Sequence, residues 1–144
     1  MSAQRDCPFC AIADGSTEAR LVLDEEHALA FLDRRPLFPG HVLLIPRRHV
    51  ATLDELPAEL LSPLFEQAQR LAAAVQRGLE AEGTFVAINN RVSQSVPHLH
   101  VHVVPRRRGD GLKGFFWPRH GYRDAAHADD VRDAIRRALA EWGG

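Results

Sequence analysis

The sequence predicts an α+β fold: an antiparallel five-stranded sheet with one long helix and a C-terminal helix. Three observations carry this expectation. Strand-like runs come in two groups, each followed by helical periodicity, an order that favours an antiparallel sheet over a doubly wound parallel one. The first two runs are joined by only Glu25-Glu26, which is hairpin length. One long segment carries an apolar stripe recurring every three or four residues. Taken in order, Arg20 to Asp24 and His27 to Leu32 read as the first two strands. His41 to Ile45 is the third, reached through Pro36, Pro39 and Gly40 and ended by Pro46, which has no N–H for a ladder. Thr52 with Glu55 has capping-box spacing and opens a short turn. Leu60, Leu61, Leu64, Phe65, Ala68, Leu71, Ala72, Val75 and Leu79 form the stripe of the long helix. Pro63 is tolerated only in a first turn, so either Ser62 caps this helix or the helix kinks there. Gly83 is the expected stop. Thr84 to Asn89 reads as the fourth strand, Asn90 to Val96 as polar loop, and His98 to Val104 as the fifth strand, ended by Pro105. A final helix is expected from about Asp129, with Val131, Ile135, Leu139 and Trp142 on one face.

Composition narrows the class. The 144 residues fit a single domain over 1–144, with a core at about 7–106 and a C-terminal extension at 107–144. Apolar residues at 45% and charged residues at 26% exclude a disordered or collagen-like chain. No stretch approaches the roughly 20 apolar residues of a membrane span. Met1 to Asp6 lacks the apolar core of a signal peptide, so the expected location is cytoplasmic. A net charge of -1 gives no general attraction for nucleic acid or an anionic membrane. Two cysteines, Cys7 and Cys10, are too few for a disulfide framework. Cys7-x-x-Cys10 alone reads equally as buried thiols, a redox pair or half a zinc site.

The chemistry concentrates in His98-Leu99-His100-Val101-His102-Val103-Val104. On a strand, Leu99, Val101 and Val103 share the core face, and His98, His100 and His102 share the other, about 6.6–6.8 Å apart. Three imidazoles on one face are costly to bury without partners and unusual on a solvated face. They suit either a metal site or histidine chemistry on a phosphate or acyl group. The neighbouring loop supplies Asn89, Asn90, Gln94 and Ser95, neutral donors suited to phosphate oxygens, and no carboxylate between Glu82 and Asp110.

The pattern His, apolar, His, apolar, His, apolar, apolar at 98–104 resembles the histidine-triad (HIT) superfamily of nucleotide hydrolases and transferases. The resemblance extends to Gln94-Ser95-Val96, Ala30-Phe31-Leu32-Asp33, Pro39 to Pro46 and Cys7-Pro8-Phe9-Cys10-Ala11-Ile12. It implies that His100 is the nucleophile on the α-phosphorus of a purine nucleotide and that His102 contacts the transferring phosphate. His41 would orient the site, Ser95 would hydrogen-bond the leaving atom, and Asn89 and Gln94 would help hold the phosphate. Asp33 would bind ribose, and Phe9, Ile12, Phe31 and Leu32 would form the base pocket. No cofactor is implied for catalysis. A structural zinc on Cys7, Cys10, His49 and His98 is implied, as is a homodimer. The family's loop usually has a glycine immediately before the glutamine, where this chain has Ser93 in a shorter loop. His102, unlike the glutamine of the transferase branch, points to hydrolysis of phosphoramidates or dinucleoside polyphosphates.

Three other readings compete with that hydrolase. They are a nucleotide-binding regulatory module with incidental turnover, a remover of adenylate from DNA ends, and a metal-dependent hydrolase built on the three histidines. Arg106-Arg107-Arg108 is either a solvated strand exit or a clamp for a polyphosphate tail. Phe115, Phe116 and Trp117 read as a pocket cap or, more in keeping with the resemblance, as a subunit interface.

Overall fold

The computed structural model describes residues 2–113 and 119–143. It forms two compact units, residues 1–110 and 111–144. The first holds the helices α1 (Ser2–Arg5), α2 (Pro8–Ala13) and α3 (Leu61–Gly78) and the strands β1 (Leu21–Asp24), β2 (Ala28–Leu32), β3 (Val42–Pro46), β4 (Gly83–Ala87) and β5 (Val101–Arg106). The second holds α4 (Ala125–Glu141). Phe115, Phe116 and Trp117, expected at a cap or an interface, lie outside the described residues.

The five strands form one antiparallel sheet in the order β1-β2-β3-β5-β4. β2 and β3 read as continuous apolar runs because both of their faces are covered. Ala28, Ala30, Val42 and Leu44 join Leu99, Val101 and Val103 against Leu64, Ala68, Leu71 and Val75 of α3. Their neighbours Leu29, Phe31, Leu43 and Ile45 face the opposite way and pack with Cys7 and Phe9 of the N-terminal segment. The sheet is therefore sandwiched between α3 and α2, and the period of two decides which of them each side chain meets. Gly40 enters β3 through a turn at φ +98°, a conformation that calls for glycine; an added Cβ would also press on the exposed, flexible tip of Leu79, which can move aside.

Several expectations need correction. The fifth strand begins at Val101, not His98, and runs through Pro105, which pairs with Thr84 at the sheet edge of β4. Pro46 likewise closes β3 from inside the strand, paired with Ala28. A proline can hold a ladder position where its carbonyl, not an N–H, is wanted. Ser62 does not cap α3. The helix starts at Leu61 after a 3-10 turn at Ala58–Leu60, so Pro63 sits in the first turn where no N–H partner is missing. It ends at Gly78, and Gly83 opens β4 instead. The capping box does not form: the Glu55 carboxylate accepts from the Ala51 N–H at 3.1 Å, one residue before Thr52, and the Thr52 hydroxyl turns to Asp54. α4 starts at Ala125, four residues before the expected Asp129, because the Asp124 carboxylate caps it by accepting from the His127 N–H at 2.7 Å.

Candidate active site and metal-binding cluster

The three histidines do not share a solvated face. His98 and His100 are buried, at 0% and 2% exposure, and lie ahead of β5, while His102 is half-buried within it. Leu99 is anchored by its N–H to the Val50 carbonyl at 2.8 Å, which pulls the segment out of the ladder. Burial of imidazoles requires partners, and each ring has them.

The His100 ring bonds through Nδ1 to the backbone carbonyl of His98 at 2.7 Å. A carbonyl only accepts, so the proton is on Nδ1 and the Nε2 lone pair is bare. Phe9 packs edge-on to this ring at 5.2 Å between centroids. His102 takes its orientation from His41, the residue just before the paired strand β3. The chain of bonds starts at the backbone. The Leu37 N–H donates to His41 Nδ1 at 3.1 Å, so the His41 proton resides on Nε2. That Nε2–H donates to His102 Nδ1 at 2.9 Å, and the remaining proton of His102 sits on Nε2. One backbone amide thereby sets the tautomers of two histidines. The Asp33 carboxylate lies 3.8 Å from His41 Nδ1 and accepts from the Arg35 N–H at 2.9 Å.

Burial holds both rings neutral. It pushes His41 below the ordinary histidine value, against the opposing pull of Asp33. It pushes His102 down to about 4, helped by the neighbouring His100 and His41. His102 is thus a neutral hydrogen-bond donor at pH 7. Asp33, His41 and His102 also lie close enough together to hold a metal ion. Their hydrogen bonds already occupy both His41 nitrogens, which favours a proton-ordering role.

His100 and His102 form part of the wall of a groove of about 1520 Å³. Phe9, Ile12, Phe31, Leu32, Asp33 and Ser95 line the same groove, so the structure brings these expected residues to one cavity. Asn89 and Gln94 are not among its lining residues. Gln94 accepts from the Arg91 N–H at 2.8 Å and donates to the Ala51 carbonyl at 2.6 Å, and Asn89 donates to the Ser93 carbonyl at 3.3 Å. Their amides brace the loop. That loop takes left-handed backbone at Arg91 and at Ser93 (φ +69° and +60°), so Ser93 adopts the conformation a glycine would favour. The arginine run is likewise engaged. Arg106 forks onto Asp110 at 2.6 and 3.0 Å, Arg107 donates to the Leu79 carbonyl at 2.6 Å, and Arg108 pairs with Glu82 at 3.5 Å.

Next to His100 in the chain, His98 converges with Cys7, Cys10 and His49. Cys7 Sγ is 3.4 Å and Cys10 Sγ 3.5 Å from His98 Nδ1. His49 Nδ1 is 3.2 Å from both Cys10 Sγ and His98 Nδ1. Tetrahedral zinc with sulfur and nitrogen ligands sets such edges at roughly 3.3–3.6 Å. His98 Nε2–H donates to the Pro46 carbonyl at 2.9 Å, leaving Nδ1 bare toward the cysteines, the arrangement expected of a ligating histidine. Without a cation, burial pushes the Cys10 thiol up to about 11, with the Cys7 neighbour adding to the effect. The donor set fits a metal ion. Sequence reasoning did not find the three backbone groups that order this site: the Leu37 N–H, the Pro46 carbonyl and the His98 carbonyl. Backbone groups carry no residue signal, and only the prolines flanking β3 hinted at irregularity there.

Comparison with known proteins agrees with this geometry. A family model described as HIT domain matches residues 14–109. A crystal structure of a HIT family member from Bacillus subtilis is 33% identical, with TM-score 0.83, covering 92% of this chain and 96% of that one. A zinc-bound histidine triad family protein from Mycobacterium smegmatis is 34% identical, with TM-score 0.71, covering 96% of this chain and 99% of that one. Among curated relatives, an Arabidopsis thaliana protein named adenylylsulfatase HINT3 is 28% identical over 143 residues, 94% of this chain and 71% of that protein.

Proposed function

The chain belongs to the HIT family, and from that premise we propose that it is a nucleotidyl hydrolase cleaving purine nucleotides at the α-phosphate through a nucleotidyl-histidine. The observation that carries the reading is the His100 ring, whose Nδ1–H is held on the His98 carbonyl so that Nε2 offers its lone pair. Nε2 bonds to the α-phosphorus as the bond to the leaving group breaks, and that group takes the electron pair and, where it is an amine, a proton from solvent water. Ser95 hydrogen-bonds the leaving atom. His102, neutral and protonated on Nε2, donates to a phosphoryl oxygen. Water then attacks phosphorus, releases a proton, and breaks the P–N bond. Nucleoside monophosphate leaves, and the ring returns with Nδ1–H in place. Asp33 binds the ribose, and Phe9, Ile12, Phe31 and Leu32 hold the base. The name of the Arabidopsis relative, an adenylylsulfatase, supports an activated nucleotide such as adenylyl sulfate as substrate, and the same chemistry would take a phosphoramidate or a dinucleoside polyphosphate.

Zinc on Cys7, Cys10, His49 and His98 would tie the N-terminal segment to the residue whose carbonyl holds His100. The zinc-bound relative supports this choice of ion. A homodimer in the cytoplasm, with 1–144 acting as one domain, completes the proposal, and analytical ultracentrifugation reads the dimer directly. Among the described residues no helix is long and apolar enough to cross a membrane.

The test offers adenosine 5′-phosphoramidate, adenylyl sulfate and diadenosine polyphosphates to wild type and His100→Gly. Wild type should turn over, and a rapid quench should find adenylate on His100. The variant should lose several orders of magnitude in kcat while still binding AMP. Turnover with no nucleotide on that ring refutes the mechanism. Stoichiometric binding without turnover by wild type favours a regulatory module.

A further inference from the structure

The groove is larger than one nucleoside monophosphate needs, at about 1520 Å³ against the ~300–1,000 Å³ of ordinary ligand sites. Its lining includes Arg20, Arg34 and Arg35 together with Asp33. The sheet explains why they meet. Leu21 pairs with Phe31, and the Arg20 carbonyl accepts from the Leu32 N–H at 3.0 Å, so Arg20 lies across the hairpin from the chain entering Asp33-Arg34-Arg35. All three side chains are exposed, and among the described residues none has a hydrogen bond or ion pair. Arg47, Arg70, Arg91, Arg106, Arg108 and Arg132 each have an acidic partner, and Arg48, Arg77, Arg136 and Arg137 have none among the described residues, so what sets Arg20, Arg34 and Arg35 apart is that they line one groove together. The two carboxylates of the lining do not compensate for three cations, and one of them, Asp33, already accepts from the Arg35 N–H. Three unpaired guanidinium groups at one end of a groove form a planar-donor surface matched to phosphate.

Resting on the nucleotide reading, we propose that Arg20, Arg34 and Arg35 form a subsite for a second phosphate of the substrate, beyond the one attacked by His100. Two sources share this chemistry: a phosphate on the ribose and the distal chain of a polyphosphate. Exposed charge pairs are individually weak, so the preference comes from the three acting together and falls with salt.

The experiment uses the full chain, wild type and R20Q/R34Q/R35Q, in two arms. One compares adenylyl sulfate with its 3′-phosphorylated form. The other compares adenosine 5′-phosphoramidate with diadenosine tetraphosphate. The second phosphate should raise kcat/KM about tenfold or more, through KM, and added salt should erode the gain. The triple variant should lose that gain and keep wild-type kinetics on the singly phosphorylated substrates. A gain in the first arm alone assigns the subsite to a ribose phosphate, in the second alone to a polyphosphate chain, and in both to either. Equal gains in wild type and variant overturn the proposal, as does a variant impaired alike on every substrate. If wild type turns over none of them, the hydrolase reading fails. Calorimetric binding of AMP against adenosine 3′,5′-bisphosphate, and of adenosine 5′-tetraphosphate for the chain, then decides the subsite on its own.

Discussion

His41→Ala removes the link between the backbone and His102. The ring is 3% exposed and makes two hydrogen bonds, accepting from the Leu37 N–H at 3.1 Å and donating to His102 Nδ1 at 2.9 Å. The Leu37 segment is exposed, so water replaces the first bond. The second leaves a half-buried acceptor unmet, worth about 1–3 kcal/mol. Truncating the ring adds a cavity term, giving a total loss of stability of about 2–4 kcal/mol. Catalysis suffers differently. Without a donor at Nδ1, the His102 proton redistributes between its two nitrogens and the ring loses its orientation. Loss of one positioned donor corresponds to about 10- to 100-fold in kcat at ~1.4 kcal/mol per decade. The assays are denaturant unfolding and steady-state hydrolysis of adenosine 5′-phosphoramidate, with kcat and KM separated. KM should move less than kcat, and His41→Gln, whose amide keeps an N–H donor, should recover part of the loss. A folded His41→Ala protein with kcat within about twofold of wild type would refute the tautomer chain.

Other expectations follow from single features. Leu44→Ala, at a fully buried position between the sheet and α3, should cost about 2–5 kcal/mol in denaturant unfolding without altering kcat in the folded fraction. Metal analysis should find one zinc per chain. Its removal by a strong chelator, or its loss in Cys10→Ser, should lower the thermal midpoint, whereas an unchanged midpoint would deny the metal a folding role. Stability should fall in acid. The folded pKa of His102 is depressed to about 4 by burial, with His100 and His41 adding and Asp33 opposing, while the unfolded chain titrates near the ordinary value of about 6.5. The unfolded state therefore binds the proton first, and the stability present above about pH 6.5 is lost as pH falls toward 4. Unfolding midpoints at pH 7 and pH 5 for wild type and His102→Gln should differ, the variant showing the shallower decline.

Much of this molecule was legible in the residues because the relevant rules are local. The period-two burial of Leu99, Val101 and Val103 and the hairpin of β1 and β2 depend on spacing alone and reappear in the sheet and core; of the α3 stripe, Leu64, Ala68, Leu71 and Val75 are buried while Leu61, Phe65 and Leu79 are exposed. The Cys7, Cys10, His49 and His98 set was found by resemblance, and the fold brings its ligand atoms together across up to 91 positions of sequence. The expectation that the fifth strand starts at His98 failed for a physical reason. Leu99 bonds to Val50 outside the ladder, and His98 and His100 are buried with backbone carbonyls as their partners.

Residue order by itself determined which side chains could do chemistry and which had to be buried, since both follow from side-chain type and the period of a strand or helix. Tertiary structure alone decided what each histidine offers. Whether a ring nitrogen is donor, nucleophile or metal ligand depends on the group facing its other nitrogen. Those groups are the Leu37 N–H, the His98 carbonyl and the Pro46 carbonyl, backbone atoms that every residue possesses and only the folded chain brings into reach.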